Sequence, residues 1–477
     1  MLFNSIEFLV FFPVVTALYF ILPHCFRWML LLGASCFFYT AFIPAYIAVL
    51  AILIVVDYFA GIFIERTQDK NKKRIFLIIS ISATCLVLFV FKYYNFFTST
   101  FLGIAHFFGL EYPVKILNII LPLGLSFHTF QSLSYVIEVY RGKQKAEHNF
   151  GIYALYVMFY PQLVAGPIER PYNLIHQFYE KHEFDYFMVV AGLKLMLWGF
   201  FKKLVIADRL ALYVNLVYQN YYAVDGMTLV MAACFFTFQV YCDFSGYSDI
   251  AIGAARVMGF RLMANFRRPF LARNMFELWQ RWHISLMTWF RDYVYIPLGG
   301  AYGGAFKRYR NLMIVFLLCG FWHGANWTFV SFGMINGFYL IVSSRTNRHW
   351  KKFVQFSCLD RISWLENLLA MLFVFILFSF SGIFFRAASL ADAFNIIHKI
   401  IIWKGSFFSP GLPHMIYSFF GIIFLMVSEV KWEFFPQSRL FLNSTHAVVR
   451  WISYVFLIFL IISIGVIDGG QFIYFTF

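Results

Sequence analysis

Charge is scarce in this chain. Asp, Glu, Lys and Arg together make up 13% of its 477 residues, against roughly a quarter in soluble domains. Hydrophobic residues reach 61%, which excludes an ordinary water-soluble fold. Cysteine is sparse and dispersed: Cys25, Cys36, Cys85, Cys234, Cys242, Cys319 and Cys358 form no Cys-x-x-Cys pair. An odd, scattered set argues against a disulfide framework or a zinc site, and cysteines in apolar runs behave as small hydrophobes. No metal site is expected. Residues 1–12 contain no Lys or Arg, so the basic start of a cleavable secretory signal is missing. The first hydrophobic block is therefore expected to remain as a transmembrane helix. A fixed-period repeat and a disordered linker are also absent.

What is present is apolar sequence in long blocks, such as residues 75–91, 368–385 and 451–467. Their length fits the roughly 30 Å hydrocarbon core at the rise of a helix, and they lack the alternation of a lipid-facing barrel strand. The fold class is an all-α polytopic membrane protein. In a soluble protein a net charge of +15 would suggest nucleic acid. Here it is better explained by basic loops retained on the cytoplasmic side, and no nucleic-acid partner is expected.

Residues 66–74 and 141–145 are strongly basic, whereas 98–114 contains no Lys or Arg. Helices at about 75–97 and 116–139 fit between them. Three more, roughly 6–22, 28–43 and 45–64, place the N-terminus outside and Arg27 inside. Arg345, Arg348, Lys351 and Lys352 read as another cytoplasmic loop. From residue 150 the pattern breaks: 152–164 is too short to span and runs into Gly166-Pro167-Ile168-Glu169-Arg170-Pro171. Such segments are tolerated at membrane depth only when buried in protein or lining a cavity. A single membrane domain over 1–477 is expected, with N-terminal helices (1–149), a catalytic centre (150–340) and C-terminal helices (341–477).

Chemistry belongs in that centre. An ionisable side chain at membrane depth costs about 2.5–3.5 kcal/mol, so it marks function by default. His323 lies in Gly320-Phe321-Trp322-His323-Gly324-Ala325-Asn326, where the glycines would admit a backbone or a ligand and Asn326 offers an amide. The bland alternative is a histidine that only bonds a neighbouring helix. His283 lies in Trp279-Gln280-Arg281-Trp282-His283. On one helix Trp279, Trp282, His283, Leu286 and Phe290 would share a face, with Arg281 and Ser285 on a polar one; an interfacial aromatic belt is the alternative. Cys319, four residues before His323, makes a Cys–His pair conceivable, although an inert buried thiol explains it as well. Asp243, Ser245 and Asp249 fall in one polar stretch. Acid–base work is possible for them, but pairing of the acids with Arg256, Arg261 or Arg281 is favoured. For Glu169–Arg170, internal pairing and binding of an anionic group both remain open.

Five strings together resemble the membrane-bound O-acyltransferase family. They are Val164-Ala165-Gly166-Pro167-Ile168-Glu169-Arg170, Tyr241-Cys242-Asp243-Phe244-Ser245-Gly246-Tyr247-Ser248-Asp249, Trp279-Gln280-Arg281-Trp282-His283-Ile284-Ser285, Arg291-Asp292-Tyr293-Val294-Tyr295-Ile296-Pro297-Leu298-Gly299-Gly300 and Gly320-Phe321-Trp322-His323-Gly324. The similarity runs from Phe3-Asn4-Ser5 to Gln471-Phe472-Ile473-Tyr474-Phe475 and is greatest to the bacterial alginate O-acetyltransferase branch. It implies a ring of helices with short or re-entrant helices around a central tunnel. His323 matches the family's principal catalytic histidine and His283 the second, supporting one. For acyl transfer, His323 would be the general base, and Asn326 and His283 the candidate donors to the tetrahedral oxyanion.

The resemblance further implies a bacterial cytoplasmic (inner) membrane location. The partners would be the lipid bilayer, a cytoplasmic thioester donor (acetyl-coenzyme A or another acyl carrier), an extracytoplasmic acetyltransferase or acceptor protein, and a polysaccharide. No bound cofactor is expected. Asn326, Trp282, Trp322, Arg281, Asp243 and Ser245 are the substrate-binding candidates, and the basic residues 307–310 and 345–352 are expected to attract the donor. D-alanyl transfer from a carrier protein to teichoic acid is the alternative within the family, and a transporter the alternative outside it.

The charge pattern makes a prediction about orientation. Single cysteines introduced in 66–74 or 141–145 should resist an impermeant thiol reagent in intact cells, and one in 98–114 should react. The reverse labelling pattern would overturn the orientation.

Overall fold

A computed structural model describes residues 1–477 except 42, 111–113, 357–361, 404, 438–440, 468–471 and 473–477, with backbone only for 347–356. Cys358 and most of the 471–475 string thus lie outside the described residues. Among the described residues every regular element is helical. Seven helical stretches are long and apolar enough to cross a bilayer: Tyr46–Arg66, Lys70–Phe107, Gly226–Val257, Trp327–Thr346, Ser363–Arg386, Leu412–Phe434 and Ala447–Ile464. The expected α-helical multi-pass class is what the chain adopts.

The chain forms two compact units. One comprises Met1–Met196 and Asp249–Met263. In it, Asp57 of the helix Tyr46–Arg66 is fully buried. Its carboxylate accepts hydrogen bonds from Ser80 (2.5 Å), Thr84 and Ser132, which stand on the helices Lys70–Leu88 and Leu125–Tyr140. Where lipid tails are as apolar as side chains, such polar clasps help fix which helices pair. Arg27 is also buried, donating to the Leu22 and His182 carbonyls and lying 4.9 Å over the Tyr19 ring. It therefore acts as an internal tie, and as a topology marker it carries little weight.

Three boundaries differ from the expectation. The helix expected to end near 97 continues to Phe107, absorbing much of the loop that lacks Lys and Arg. The helix expected from 116 begins at Leu125. Pro122 cannot donate to a helical ladder, and Gly124, at φ +72°, supplies the left-handed turn that starts the helix. The basic cluster at 345–352 lies within the helix Trp327–Phe356, because no Gly or Pro interrupts it. As expected, the segment after 150 is short, a nine-residue helix Phe150–Met158 followed by turns.

The other unit comprises Leu197–Ser248 and Ala264–Phe477. In it the helix Ala305–His323 packs along the helix Trp327–Phe356. A Cβ on Gly320 would lie 2.3 Å from the Phe329 carbonyl oxygen and 3.0 Å from Gly333 Cα, and one on Gly333 would lie 2.2 Å from the Phe316 oxygen. The glycine beside His323 thus admits a neighbouring backbone.

This crossing is testable. Gly320→Ala should lower stability by about 1–3 kcal/mol through overpacking. Gly33→Ala, with nothing within 4 Å of its Cβ, should be close to neutral. Thermal unfolding in detergent would measure both, and equal melting temperatures would contradict the close packing.

Candidate active site

His283 does not lie within a helix. The helix Met275–Arg281 ends, Trp282 is extended (φ −105°, ψ 128°), His283 is left-handed (φ 44°, ψ 52°), and a second helix runs Ile284–Phe290. The aromatic face expected across Trp279, Trp282, His283, Leu286 and Phe290 is therefore broken in two. The cause lies outside the segment, at Asn265, which is 1% exposed. Ile284 N donates to the Asn265 backbone oxygen (2.8 Å), and Arg267 N donates to the Arg281 oxygen (2.9 Å). Asn265 Oδ1 accepts from Ser285 N (3.3 Å) and Ser285 Oγ (2.9 Å) and lies 3.1 Å from His283 Nδ1.

A backbone N–H can only donate, so the atom facing Ser285 N is the amide oxygen. His283 Nδ1 must then be the protonated nitrogen, and in the neutral ring Nε2 carries the lone pair. Asn265 Nδ2 donates to Ser248 Oγ (3.1 Å). Phe244 meets the imidazole edge-on at 4.5 Å, and Phe266 stacks at 6.3 Å.

His323 is the last residue of the helix Ala305–His323 and is buried. Its ring centroid lies 6.4 Å from that of His283, and Trp322 stands beside both, at 5.0 Å from His323 and 5.7 Å from His283. Phe385 and Phe332 pack on its other sides, at 5.2 and 6.2 Å. Trp282 and His323 share the wall of a small apolar cavity. Cys319 Sγ lies 3.9 Å from His323 Nε2. This thiol is 1% exposed, and burial in apolar surroundings disfavours the thiolate that a nucleophile needs.

The remaining candidates are held in structural contacts. Asn326 caps the helix Trp327–Phe356: its Oδ1 accepts from Thr328 N (3.0 Å) and its Nδ2 donates to the Ala388 oxygen (3.2 Å). Asp243 binds Lys203 Nζ at 2.6 Å, and the same amine binds Asp208 at 2.8 Å. Ser245 accepts from Lys202 Nζ (2.9 Å). The expectation of ion pairing for Asp243 is met by a lysine in place of an arginine. Arg281 bridges Glu277 (2.7 Å) and Glu433 (2.8 Å), and Arg268 adds a second bond to Glu433 (2.8 Å). In the other unit, Glu169 accepts from Met263 N and Asn173 Nδ2, both at 2.5 Å, tying its loop to the segment around Met263.

Lys202, Lys203 and Asn265 escaped the sequence reading. The two lysines carried a signal in their place within the apolar run Trp198–Ile206; Asn265 carried none. At the start of the helix Ala305–His323, Tyr309 OH takes hydrogen bonds from Arg308 (3.3 Å) and Arg345 (3.4 Å). Hydrogen bonding from Ser344, then Arg345 and Arg308, brings this phenol down to about 8. These basic groups therefore favour negative charge beside them.

The family model described as MBOAT, membrane-bound O-acyltransferase family, matches residues 147–390. A probable alginate O-acetylase AlgI of Azotobacter vinelandii is 40% identical over 351 residues, covering 72% of this chain and 68% of that protein. A peptidoglycan O-acetyltransferase of Helicobacter pylori is 34% identical over 406 residues, covering 79% and 74%. A teichoic acid D-alanyltransferase of Streptococcus thermophilus is 30% identical over a shorter stretch of 237 residues, 46% of this chain and 56% of that protein.

Asn265→Ala should leave the His283 ring, Ser285 N and Ser285 Oγ without their shared acceptor. Buried groups stripped of a partner cost about 1–3 kcal/mol, so unfolding should shift accordingly. Combined with His283→Ala, the two losses should be less than additive. Strict additivity in chemical unfolding would show that the two side chains do not act together.

Proposed function

This chain belongs to the membrane-bound O-acyltransferase family and is a multi-pass membrane acyltransferase; from that premise we propose that it moves an acetyl group from a cytoplasmic thioester donor across the bacterial inner membrane. The acyl group is destined for hydroxyls of an extracytoplasmic polysaccharide such as alginate, and an extracytoplasmic acetyltransferase or acceptor protein completes the delivery. Acetyl-coenzyme A or an acyl carrier supplies the thioester. The observation that carries this reading is the pair of histidines brought to 6.4 Å in one buried aromatic cluster beside a small cavity.

In the proposed step His323 takes the proton of the incoming hydroxyl as the oxygen attacks the thioester carbonyl carbon. The new C–O bond forms, the C–S bond breaks, and the thiolate leaves with the proton returned from His323. A thioester is already activated, so the protein must chiefly supply alignment, a base and exclusion of water. The rings around both histidines serve the last demand.

His283 acts as a positioning residue in this scheme. With its proton held on Nδ1 by Asn265, Nε2 can accept a hydrogen bond from a neighbouring hydroxyl of the acceptor and so orient it, but has no proton to offer an oxyanion. Asn326, engaged at its helix cap, is not assigned that role either. Lys307, Arg308, Arg310 and Arg345 form the surface suited to phosphates or an acidic carrier.

His323→Ala should reach the membrane and lose about 10²–10⁴-fold in acyl transfer, the usual loss on removing a general base. Cys319→Ala should transfer at close to the normal rate. Acetyl esters on the acceptor glycan, measured per amount of inserted protein, decide between them: a fully active His323→Ala would sink the proposal, and an inactive Cys319→Ala would move the chemistry to the thiol. Neutralising Lys307, Arg308, Arg310 and Arg345 together should weaken donor use most at low salt, where screening is least; activity independent of ionic strength would remove them from donor binding.

A further inference from the structure

The cavity beside His323 is lined by four phenylalanines, Phe236, Phe332, Phe378 and Phe385, together with Trp282, Val240, Thr237 and Gly382. We propose that this cavity is the subsite for the alkyl part of the acyl group, and that its aromatic wall limits the transferred group to two carbons. The inference rests on the acyl-transfer reading and adds the determinant of which acyl group is accepted.

Size comes first. The cavity's free volume is about 20 Å³, while a single water-sized group needs about 10–15 Å³ on the same measure. A methyl group therefore fits with little to spare, and each further methylene meets a ring. Polarity comes second. Besides His323 and the indole N–H of Trp282, the hydrogen-bonding group on the wall is the Thr237 hydroxyl. It donates to the Ala233 oxygen (2.9 Å) and lies 2.9 Å from Ser379 Oγ. A sugar hydroxyl finds few partners among these rings, whereas a methyl group is matched to them.

Rigidity comes third. Phe236 is 1% exposed and packs against Tyr218 and Phe385 at 6.3 and 6.2 Å. Phe378 is held by Trp282 at 4.8 Å and Trp279 at 6.0 Å. Phe385 is held by Phe329 at 4.9 Å and Phe332 at 5.0 Å. Close-packed rings of this kind do not swing aside without disturbing their neighbours.

Gly382 offers a substitution in the opposite direction. A Cβ there would sit 3.6 Å from Phe236 Cδ1 and 3.8 Å from Thr237 Oγ1. These are ordinary contacts, so Gly382→Ala fits the fold while taking up cavity space.

The test uses cells that carry the full-length protein and are fed propionate to raise their propionyl thioesters. Acetyl and propionyl esters on the cells' own surface glycans are counted by mass spectrometry, per amount of inserted protein. Wild type should give acetyl esters almost alone. Phe236→Ala, and Phe378→Leu as a milder variant, should raise the propionyl-to-acetyl ratio by about tenfold or more, since one methylene in an apolar pocket discriminates by 10–200-fold. Gly382→Ala should lower acetyl esters by about tenfold with no gain of propionyl. An unchanged ratio in wall variants that reach wild-type membrane levels and still acetylate would overturn the inference alone. Equal ester levels in wild-type and His323→Ala cells would overturn the acyl-transfer reading, and this subsite with it.

Discussion

The left-handed backbone at His283 is the constraint from which the candidate site follows. A residue with a side chain held there costs about 1–3 kcal/mol, so the surroundings must over-determine it. Asn265 does so with both its backbone oxygen and its amide, binding Ile284 N, both donors of Ser285 and the His283 ring. The break turns Trp282 toward the cavity and sets His283 beside Trp322 and His323. It also fixes which imidazole nitrogen carries the proton. One asparagine thus controls the direction of a ring and its tautomer together.

The rest of the unit shows how an apolar protein accommodates the charge it keeps. Lys203 is answered by Asp208 and Asp243, and Arg281 by Glu277 and Glu433. Removing one partner of a buried pair strands the other, at about 3–5 kcal/mol. Such networks are therefore costly to disturb even where they take no part in chemistry. Asp243 and Ser245 tie the helix Gly226–Val257 to Lys203 and Lys202, and Arg281 ties the segment that leads into His283 to Glu433.

Much of this was legible in the sequence. Apolar length located Tyr46–Arg66, Lys70–Phe107, Ser363–Arg386 and Ala447–Ile464. The helices expected at 6–22, 28–43 and 116–139 are only 16 or 17 residues long and fall outside the seven of spanning length. The expense of a histidine in an apolar run singled out His323. Its neighbouring glycines correctly announced a close approach. The helix break at Trp282–His283 was not legible, because periodicity describes a segment by itself and Asn265 acts from 18 positions away. The start of the helix at Leu125 was misjudged for a local reason, since apolar content was weighed above Pro122 and Gly124. The basic residues at 345–352 looked like a loop by charge, yet charge alone does not interrupt a helix. Asp243 pairs with a lysine that the sequence reading had passed over within hydrophobic surroundings.

The central claim is that His283 and His323 form one site acting on one acceptor. Acyl transfer by His283→Ala, His323→Ala and the double variant, compared at equal membrane levels, tests it most directly, because groups that act as a unit are strongly non-additive. The double variant should be no slower than His323→Ala alone, within about twofold. Losses that multiply through to the double variant would contradict the claim and make the two histidines independent.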